Sequence, residues 1–292
     1  MSEAPEFSVV VPTYRRPTEL ARCLAALSRL DPEGPSFEVL VVDDGGGAAS
    51  DPAAAAPASA IGWRLIRRPH LGPAAARNAG AREARGRWLA FTDDDCEPRP
   101  GWLAGFAARF AEDPAAGLGG TTANLLPECT LARAHQLLVD FVCRVDAGGR
   151  ATFFASNNLA LPAEAFHALG GFDESFPFAA GEDRDLCARF RAAGGRWLAA
   201  PEARIAHRHR FDVAEYLRLH FRYGRGARRY RRREAAREGR AVRLEPVRFY
   251  AQLVGSPLVE PRPPRALLLS AALLLSQAGH AAGYAWERLR EG

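Results

Sequence analysis

The chain contains no lysine, so all 39 of its basic residues are arginine. A site that grips phosphates with an ammonium group is therefore excluded. Cysteine is scarce and scattered: the five residues, at 23, 96, 129, 143 and 187, form no CxxC pair and are odd in number. That spacing argues against a disulfide framework or a structural zinc site and for a reducing cytosol. No N-terminal signal peptide is expected, because Met1 to Glu6 is polar and the apolar run after it is only five residues long. No internal repeat is visible.

What remains is the composition of an ordinary globular protein. The 292 residues are 48% hydrophobic and 25% charged, enough for one large α/β domain with an appendage or for two small domains. The formal charge of +5 is local. Residues 207 to 240 hold twelve arginines against four acids, a net of +8, which leaves −3 for everything else.

The first half alternates between two periodicities. Phe7 to Val11, Phe37 to Val42, "WRLIRR" and "RWLAFT" are short apolar runs suited to buried strands. Between them lie helical patterns, "TELARCLAALSRL" with Thr18 as its expected N-cap, and residues 73 to 85. Strand and helix in this order predict right-handed parallel crossovers and a doubly wound sheet, which binds ligands at the carboxyl ends of its strands. Three polar clusters, "PTYRR", "DDGGG" and "TDDD", stand at those ends. The Ala/Pro-rich stretch 48 to 60 between them reads as a chemically silent loop.

The second half is less regular. "FFASNNLALPAEAFHALGGFDESF" predicts an apolar strand from its first residues, then Asn157 and Asn158, then a helix closed by Gly170 and Gly171. "GEDRDLCARFRAAGGRW" places acids before an amphipathic helix, and "RWLAAPEARIAHRHR" predicts a strand pair ending at His207 and His209. From about residue 215 the chain is helical, first basic and then apolar.

Three adjacent carboxylates repel one another unless a positive charge sits among them, and a hard divalent cation is one remedy. In extended backbone Asp93 and Asp95 would face one way and Asp94 the other. The plainer reading is a solvated acidic turn. Asp43 and Asp44 could accept from a nucleobase or cap a helix, and Tyr14 could flank a base or simply end a strand. Glu182 and Asp183 could supply a general base or serve the dipole of the helix they begin. Of His207 and His209, spaced i, i+2 on a strand end, only one is expected to face a given site.

Taken in order, "FSVVVPTYRRPTEL", "VLVVDDGGG", "GPAAARNAGAREARGRWLAFTDDDCEP", "NNLALPAEAFHALGGFDESF" and "GEDRDLCARF" resemble the motifs of family 2 glycosyltransferases, over roughly residues 7 to 210. The resemblance implies the GT-A fold, a mostly parallel doubly wound sheet, with a helical appendage. It implies a donor-binding half over residues 1–122, an acceptor-binding half over 123–214 and the appendage over 215–292. It further implies inverting, non-processive transfer from a nucleotide-diphosphate sugar, with Mg²⁺ or Mn²⁺ and Asp183 as general base. Pro12, Tyr14 and Asp44 match nucleoside contacts, and Arg16, Asp43 and Asp94 lie in the same donor motifs. Arg77 and Asn78 match a segment near the donor. Asp93 and Asp95 match the DxD pair, Asp95 on the metal and Asp93 on the ribose or a metal-bound water, with His207 as a further metal ligand. Asn158, Gly171, Phe172 and Glu182 fall on the acceptor side.

Two departures stand out. "AGGRW" has Ala193 where processive relatives carry glutamine, which favours single transfer. Pro162 stands where many relatives place an arginine. A sugar nucleotidyltransferase would need a glycine-rich phosphate loop and a lysine, and the chain has neither at its N-terminus. The arginine-rich segment and the apolar stretch 266 to 286 leave three readings open: a solvated face, packing on the catalytic domain or a second subunit, or peripheral docking on the inner leaflet of an anionic membrane. The last would suit a lipid-linked carbohydrate acceptor in cell-surface polysaccharide or glycolipid assembly. The alternative function is a non-catalytic nucleic-acid- or membrane-binding protein using that tail, which the intact acidic motifs argue against; no nucleic-acid partner is expected.

Overall fold

The computed structural model describes residues 4–47, 62–259 and 263–290. The segment 48 to 60, expected to be a silent loop, lies outside the described residues. In chain order the strands are β1 (Phe7–Thr13), β2 (Phe37–Asp43), β3 (Trp63–Arg67), β4 (Trp88–Thr92), β5 (Cys96–Pro98), β6 (Gly117–Asn124), β7 (Arg150–Ala151), β8 (Asn158–Pro162) and β9 (Trp197–His207). The helices are α1 (Pro17–Leu27), α2 (Pro73–Arg82), α3 (Trp102–Glu112), α4 (Thr130–Val142), α5 (Ala163–Ala168), α6 (Glu182–Ala192), α7 (Val213–Arg237), α8 (Val247–Gly255) and α9 (Pro263–Arg290).

One sheet runs β3-β2-β1-β4-β8-β6-β9-β5, with β7 beside β9. Its first four strands are parallel, as the alternating pattern predicts. β8 then enters antiparallel to both β4 and β6, while β6 and β9 are parallel to each other. Both faces are covered. Val9 and Val11 of β1 belong to one apolar cluster with Leu20, Trp102 and Phe106, and Val10 between them belongs to another with Leu89, Phe91, Phe172 and Trp197. Alternate side chains of one strand thus enter separate cores, which is why the run is apolar without interruption.

Local details depart from the expected ones. Thr18 is not the N-cap of α1; Arg16 holds that position and Pro17 opens the helix, where a residue without an N–H loses nothing. The apolar "FFAS" is not a strand, and β8 begins only at Asn158. The expected strand pair near residue 200 is one strand, β9, with a register shift: Gly120 pairs with Ala200 but Thr121 with Arg204. The extra residues form a bulge that frees carbonyl groups from the ladder. Asn158 Nδ2 donates to two of them, Ala203 O at 3.0 Å and Thr121 O at 3.1 Å, while its Oδ1 accepts from the Trp102 indole at 2.9 Å.

Residues 213–290 pack closely on the rest of the chain. Gly283 of α9 lies so near the Phe221 carbonyl that an added Cβ would come within 1.9 Å of it, and Gly224 of α7 lies equally near the His280 carbonyl. Small residues let the two helix backbones touch. Arginines of α7 also reach α6 and the loop before it: Arg237 pairs with Asp185 at 2.6 Å, and Arg233 with Asp173. Arg225 and Arg229 share Glu287 of α9. Several arginines of the basic segment are therefore ties within the protein. α9 is long and apolar enough to cross a membrane, with a mean hydropathy of 1.4, yet 39% of its most apolar window is buried against the protein. Leu267, Leu268, Leu274, Trp286 and Leu289 project from its outer face.

Candidate active site

The three polar clusters meet at the carboxyl ends of β1, β2 and β4. Asp93, Asp94 and Asp95 sit in a turn between β4 and β5, closed by the Cys96 N–H on Asp93 O at 3.1 Å. The alternation expected of Asp93 and Asp95 required extended backbone, and the turn removes it. Each carboxylate finds its own partner. Asp93 takes Arg77 at 2.6 Å, Asp94 accepts from Thr13 Oγ1 at 2.8 Å and from Arg16 at 3.2 Å, and Asp95 contacts Arg16 at 3.0 Å and His207 Nε2 at 3.1 Å. Burial works to raise the Asp95 carboxyl, but His207 outweighs it and holds the group well below the ordinary range. Burial also opposes a charge on His207, and Asp95 outweighs it in turn, raising the imidazole. Asp94 goes the other way: buried, with Arg16 only partly compensating, it is pushed up to about 7.

Both histidines, rather than one, face Asp95. β9 ends at His207, so the alternation that would separate His207 from His209 stops there, and their rings lie 4.6 Å apart. The ligand atoms of Asp95, His207 and His209 all fall within 4.8 Å of one another. Asp93, expected among the metal ligands, is not in this group because Arg77 holds it.

Arg77 organises the opposite side. It is buried on α2 and donates both to Asp93 and, at 3.1 Å, to Glu182 at the start of α6. Carboxylates 89 positions apart in the sequence thereby share one cation. Burial, helped by the neighbouring Asp183 charge and opposed by Arg77, pushes Glu182 up to about 8. Asp183 is raised as well, by burial first, against the pull of Arg184. It lies in the first turn of its helix, whose N-cap is Gly181, and accepts from the Arg184 N–H at 2.8 Å. Gly181 before it has φ +96°, and a Cβ there would meet the Gly226 carbonyl of α7 at 2.9 Å.

Other expected residues have structural engagements. Asn78 accepts from Phe172 N–H at 2.8 Å and donates to Phe172 O and Glu174, so it clamps the loop holding Gly171 and Phe172. Phe172 is buried beneath the Arg77 guanidinium, and Asn158 is spent on the bulge, so neither lines an open acceptor wall. Asp43 accepts from Gly46 N–H at 2.8 Å and shapes the glycine turn. Asp44 accepts from the N–H groups of Leu71 and Gly72 at 3.1 and 2.8 Å and pairs with His70 at 2.9 Å. Tyr14, which follows Pro12 at the exit of β1, stacks on that same His70 with centroids 4.1 Å apart. Arg15 between Tyr14 and Arg16 has φ +55°, a strained value for a residue with a side chain.

The sequence reading missed His70, Thr13, Trp102 and His135. His135 of α4 packs 5.4 Å from His209 and 5.7 Å from His220 of α7. Thr13 stands inside the "PTYRR" cluster, but like the other three it is made relevant only by a neighbour far along the chain. Asn124, in register with His207, lines an open cleft of about 320 Å³ with Thr122, Arg133, Gln136 and Asp140.

Residues 8–162 match the model of Glycosyl transferase family 2, and residues 88–285 that of Glycosyl transferase family group 2. The chain belongs to glycosyl transferase family 2. The chain is 30% identical over 230 residues to the pre-mycofactocin glycosyltransferase of Mycobacterium tuberculosis, covering 75% of this chain and 46% of that relative. It is 31% identical over 236 residues to the succinoglycan biosynthesis protein ExoO of Rhizobium meliloti, covering 75% and 65%. The chain thus spans about half the length of the former and about two thirds of the latter. In fold it is similar to the mannosyltransferase PcManGT from Pyrobaculum calidifontis, solved with GDP-Man and Mn²⁺, at a TM-score of 0.62 and 21% identity over 99% of this chain and 81% of the other. It is also similar to residues 1–349 of S. aureus TarS, at 0.56 and 16% over 98% and 91%. These likenesses establish the GT-A fold.

Proposed function

We propose that the chain transfers a sugar from a nucleotide-diphosphate donor to an acceptor hydroxyl, in one inverting displacement, in the assembly of a cell-surface polysaccharide or glycolipid. The observation that carries this reading is the Arg77 bridge, which sets the pair Glu182–Asp183 beside the three aspartates at the strand ends. Residues 1–122 hold the donor, 123–214 the acceptor, and 215–292 the helical layer.

Tyr14, with His70 against it, and Asp44 stand where the nucleoside docks. Asp95, His207 and His209 fit a divalent cation, since one carboxylate and two imidazoles lie close enough to share one ion. Such a cation, when bound, neutralises the charge that develops on the departing diphosphate. Asp183, raised by burial, takes the proton of the acceptor hydroxyl as that oxygen attacks. Glu182 beside it holds its own proton at neutral pH and so does not add a charge that would repel the donor. The acceptor enters along the cleft that contains Asn124, Gln136 and Asp140. The exposed apolar stripe of α9 and the arginines flanking it suit docking on the cytoplasmic face of an anionic membrane, where a lipid-linked acceptor would lie.

Thermal stabilisation by UDP, GDP and dTDP, each with and without Mn²⁺, tests the donor site. One nucleotide is expected to raise the melting temperature only with metal, and Asp95→Ala to abolish the shift. No metal-dependent shift with any of the three would remove the donor reading.

A further inference from the structure

His207 and His209 are separated by one residue, yet both turn toward Asp95, and the second of them has no other polar task. The His209 Nδ1 atom is buried and has no hydrogen-bond partner among the described residues. Its ring is held from behind by Phe211 at 4.1 Å and edge-on by His135 at 5.4 Å. Buried polar atoms are normally satisfied, so an imidazole fixed in an aromatic wall is costly unless the ring is used on its other side. On that side lie Asp95 and His207.

The oxygen donors are arranged in the opposite sense. A DxD pair would offer two carboxylates, the donor type that Mg²⁺ prefers. Here Asp93 is drawn 2.6 Å from Arg77 and Asp94 is engaged by Thr13 and Arg16. One carboxylate and two imidazoles remain. Atoms that share a first-row divalent ion lie roughly 3 to 4 Å apart when each is about 2.1 Å from it. The Asp95–His207 separation of 3.1 Å is already in that range, and the group of three falls within 4.8 Å. Small ring rotations bring His209 into it.

We propose that His209 is a third protein ligand of the metal centre, and that the resulting two-imidazole, one-carboxylate set selects Mn²⁺ over Mg²⁺. The proposal rests on the transferase reading only for the presence of a cation. The selectivity follows from donor chemistry, since imidazole nitrogen suits first-row transition metals whereas Mg²⁺ demands oxygen and keeps its waters. His135 acts as a positioning residue, bracing the His209 ring from α4.

Pulsed EPR of Mn²⁺ bound to the full-length protein, with and without GDP or UDP, counts the imidazole nitrogens coupled to the ion. Two are expected in the wild type and one in His209→Phe, a change that keeps an aromatic ring against Phe211 and His135 but removes the donor atoms. The variant should bind Mn²⁺ at least tenfold more weakly. The Mg²⁺ excess needed to displace Mn²⁺ should fall by a similar factor, and the metal-free melting temperature should stay within a few degrees. If His209→Phe does not fold, the wild-type nitrogen count decides alone. One coupled nitrogen in the wild type, an unchanged Mg²⁺/Mn²⁺ ratio in the folded variant, or no bound Mn²⁺ under any of these conditions overturns the proposal. None of these readouts needs turnover. A two-nitrogen Mn²⁺ site in a protein that transfers no sugar would remove the transferase mechanism and leave this inference standing; transfer with a one-nitrogen site would do the reverse.

Discussion

Two acidic clusters face each other across Arg77, and Asp95 of the first is treated in the opposite way to the carboxylates of the second. At the end of β4, Asp95 is surrounded by His207, His209 and Arg16 and stays ionised well below neutrality. At the start of α6, burial outweighs Arg77 at Glu182 and Arg184 at Asp183, and both are raised. The first arrangement keeps Asp95 charged, as the proposed cation site requires. The second raises Glu182 and Asp183 above the ordinary carboxylate range, in the direction the proposed general base requires. Environments that push the pKa values of neighbouring groups apart are the usual mark of divided roles, and here the division follows from whether burial or the nearest positive partner prevails at each carboxylate.

Removing the shared cation should have the largest effect. Arg77→Ala takes from Asp93 and from the fully buried Glu182 the hydrogen-bond donor they share, a loss of about 1 to 3 kcal/mol for a buried acceptor left without its partner. Urea titration of wild type and variant measures it. Arg77→Lys is expected to rescue little, because an ammonium group lacks the fork that reaches both acids. A loss below about 1 kcal/mol would mean that the two clusters are independent.

The two sides should also separate functionally. Asp183→Asn is expected to lower the transfer rate by a factor of about 10² to 10⁴, the range for loss of a general base, while the metal-dependent thermal shift with nucleotide persists. Asp95→Ala should remove that shift itself. If Asp183→Asn abolishes nucleotide binding instead, the assignment of the two clusters to separate steps fails.

Their pH dependence should differ in sign. Glu182, at about 8 in the folded chain, binds a proton there that the unfolded chain releases near the ordinary carboxylate value. The native state thus holds more protons between those limits, and stability falls as pH rises from about 5 to 8, by at most about 1.4 kcal/mol per unit for one such group. Asp94, at about 7, adds to the same slope. The lowered Asp95 contributes stability that is present above the ordinary carboxylate range and lost only as pH falls through its low native value. Glu182→Gln should flatten the decline above pH 6 in denaturation curves, and an unchanged slope would count against a neutral Glu182.

The smallest effect is expected at Arg16. Its side chain is 49% exposed although it touches Asp94 and Asp95, so solvent screens the pairs. Arg16→Ala should change stability by no more than about 1 kcal/mol. A larger loss would show that the aspartate turn depends on Arg16 as Glu182 depends on Arg77.

Legibility in the sequence follows the range of the interactions. The parallel half of the sheet could be read directly, because each strand is a local apolar run buried on both faces and each ends at a polar cluster. The antiparallel β8 and the bulge in β9 could not, since both are defined by pairing across distant segments. The residues of the site show the same split. Asp95, His207 and Asp183 were legible as members of motifs. The clamp roles of Asn78 and Asn158 were not, because a motif records which residue is present and not which carbonyl it faces.

By itself the sequence determined the strand–helix alternation, the family resemblance and the acidic residues available at the strand ends. Only the tertiary structure decided which of those acids stays charged. The aspartate turn divides three adjacent carboxylates among separate partners, Arg77 joins positions 93 and 182, and the end of β9 lets two histidines face one aspartate. Charge depends on burial and on partners within a few ångströms, and both are fixed only when segments far apart in the chain are packed together.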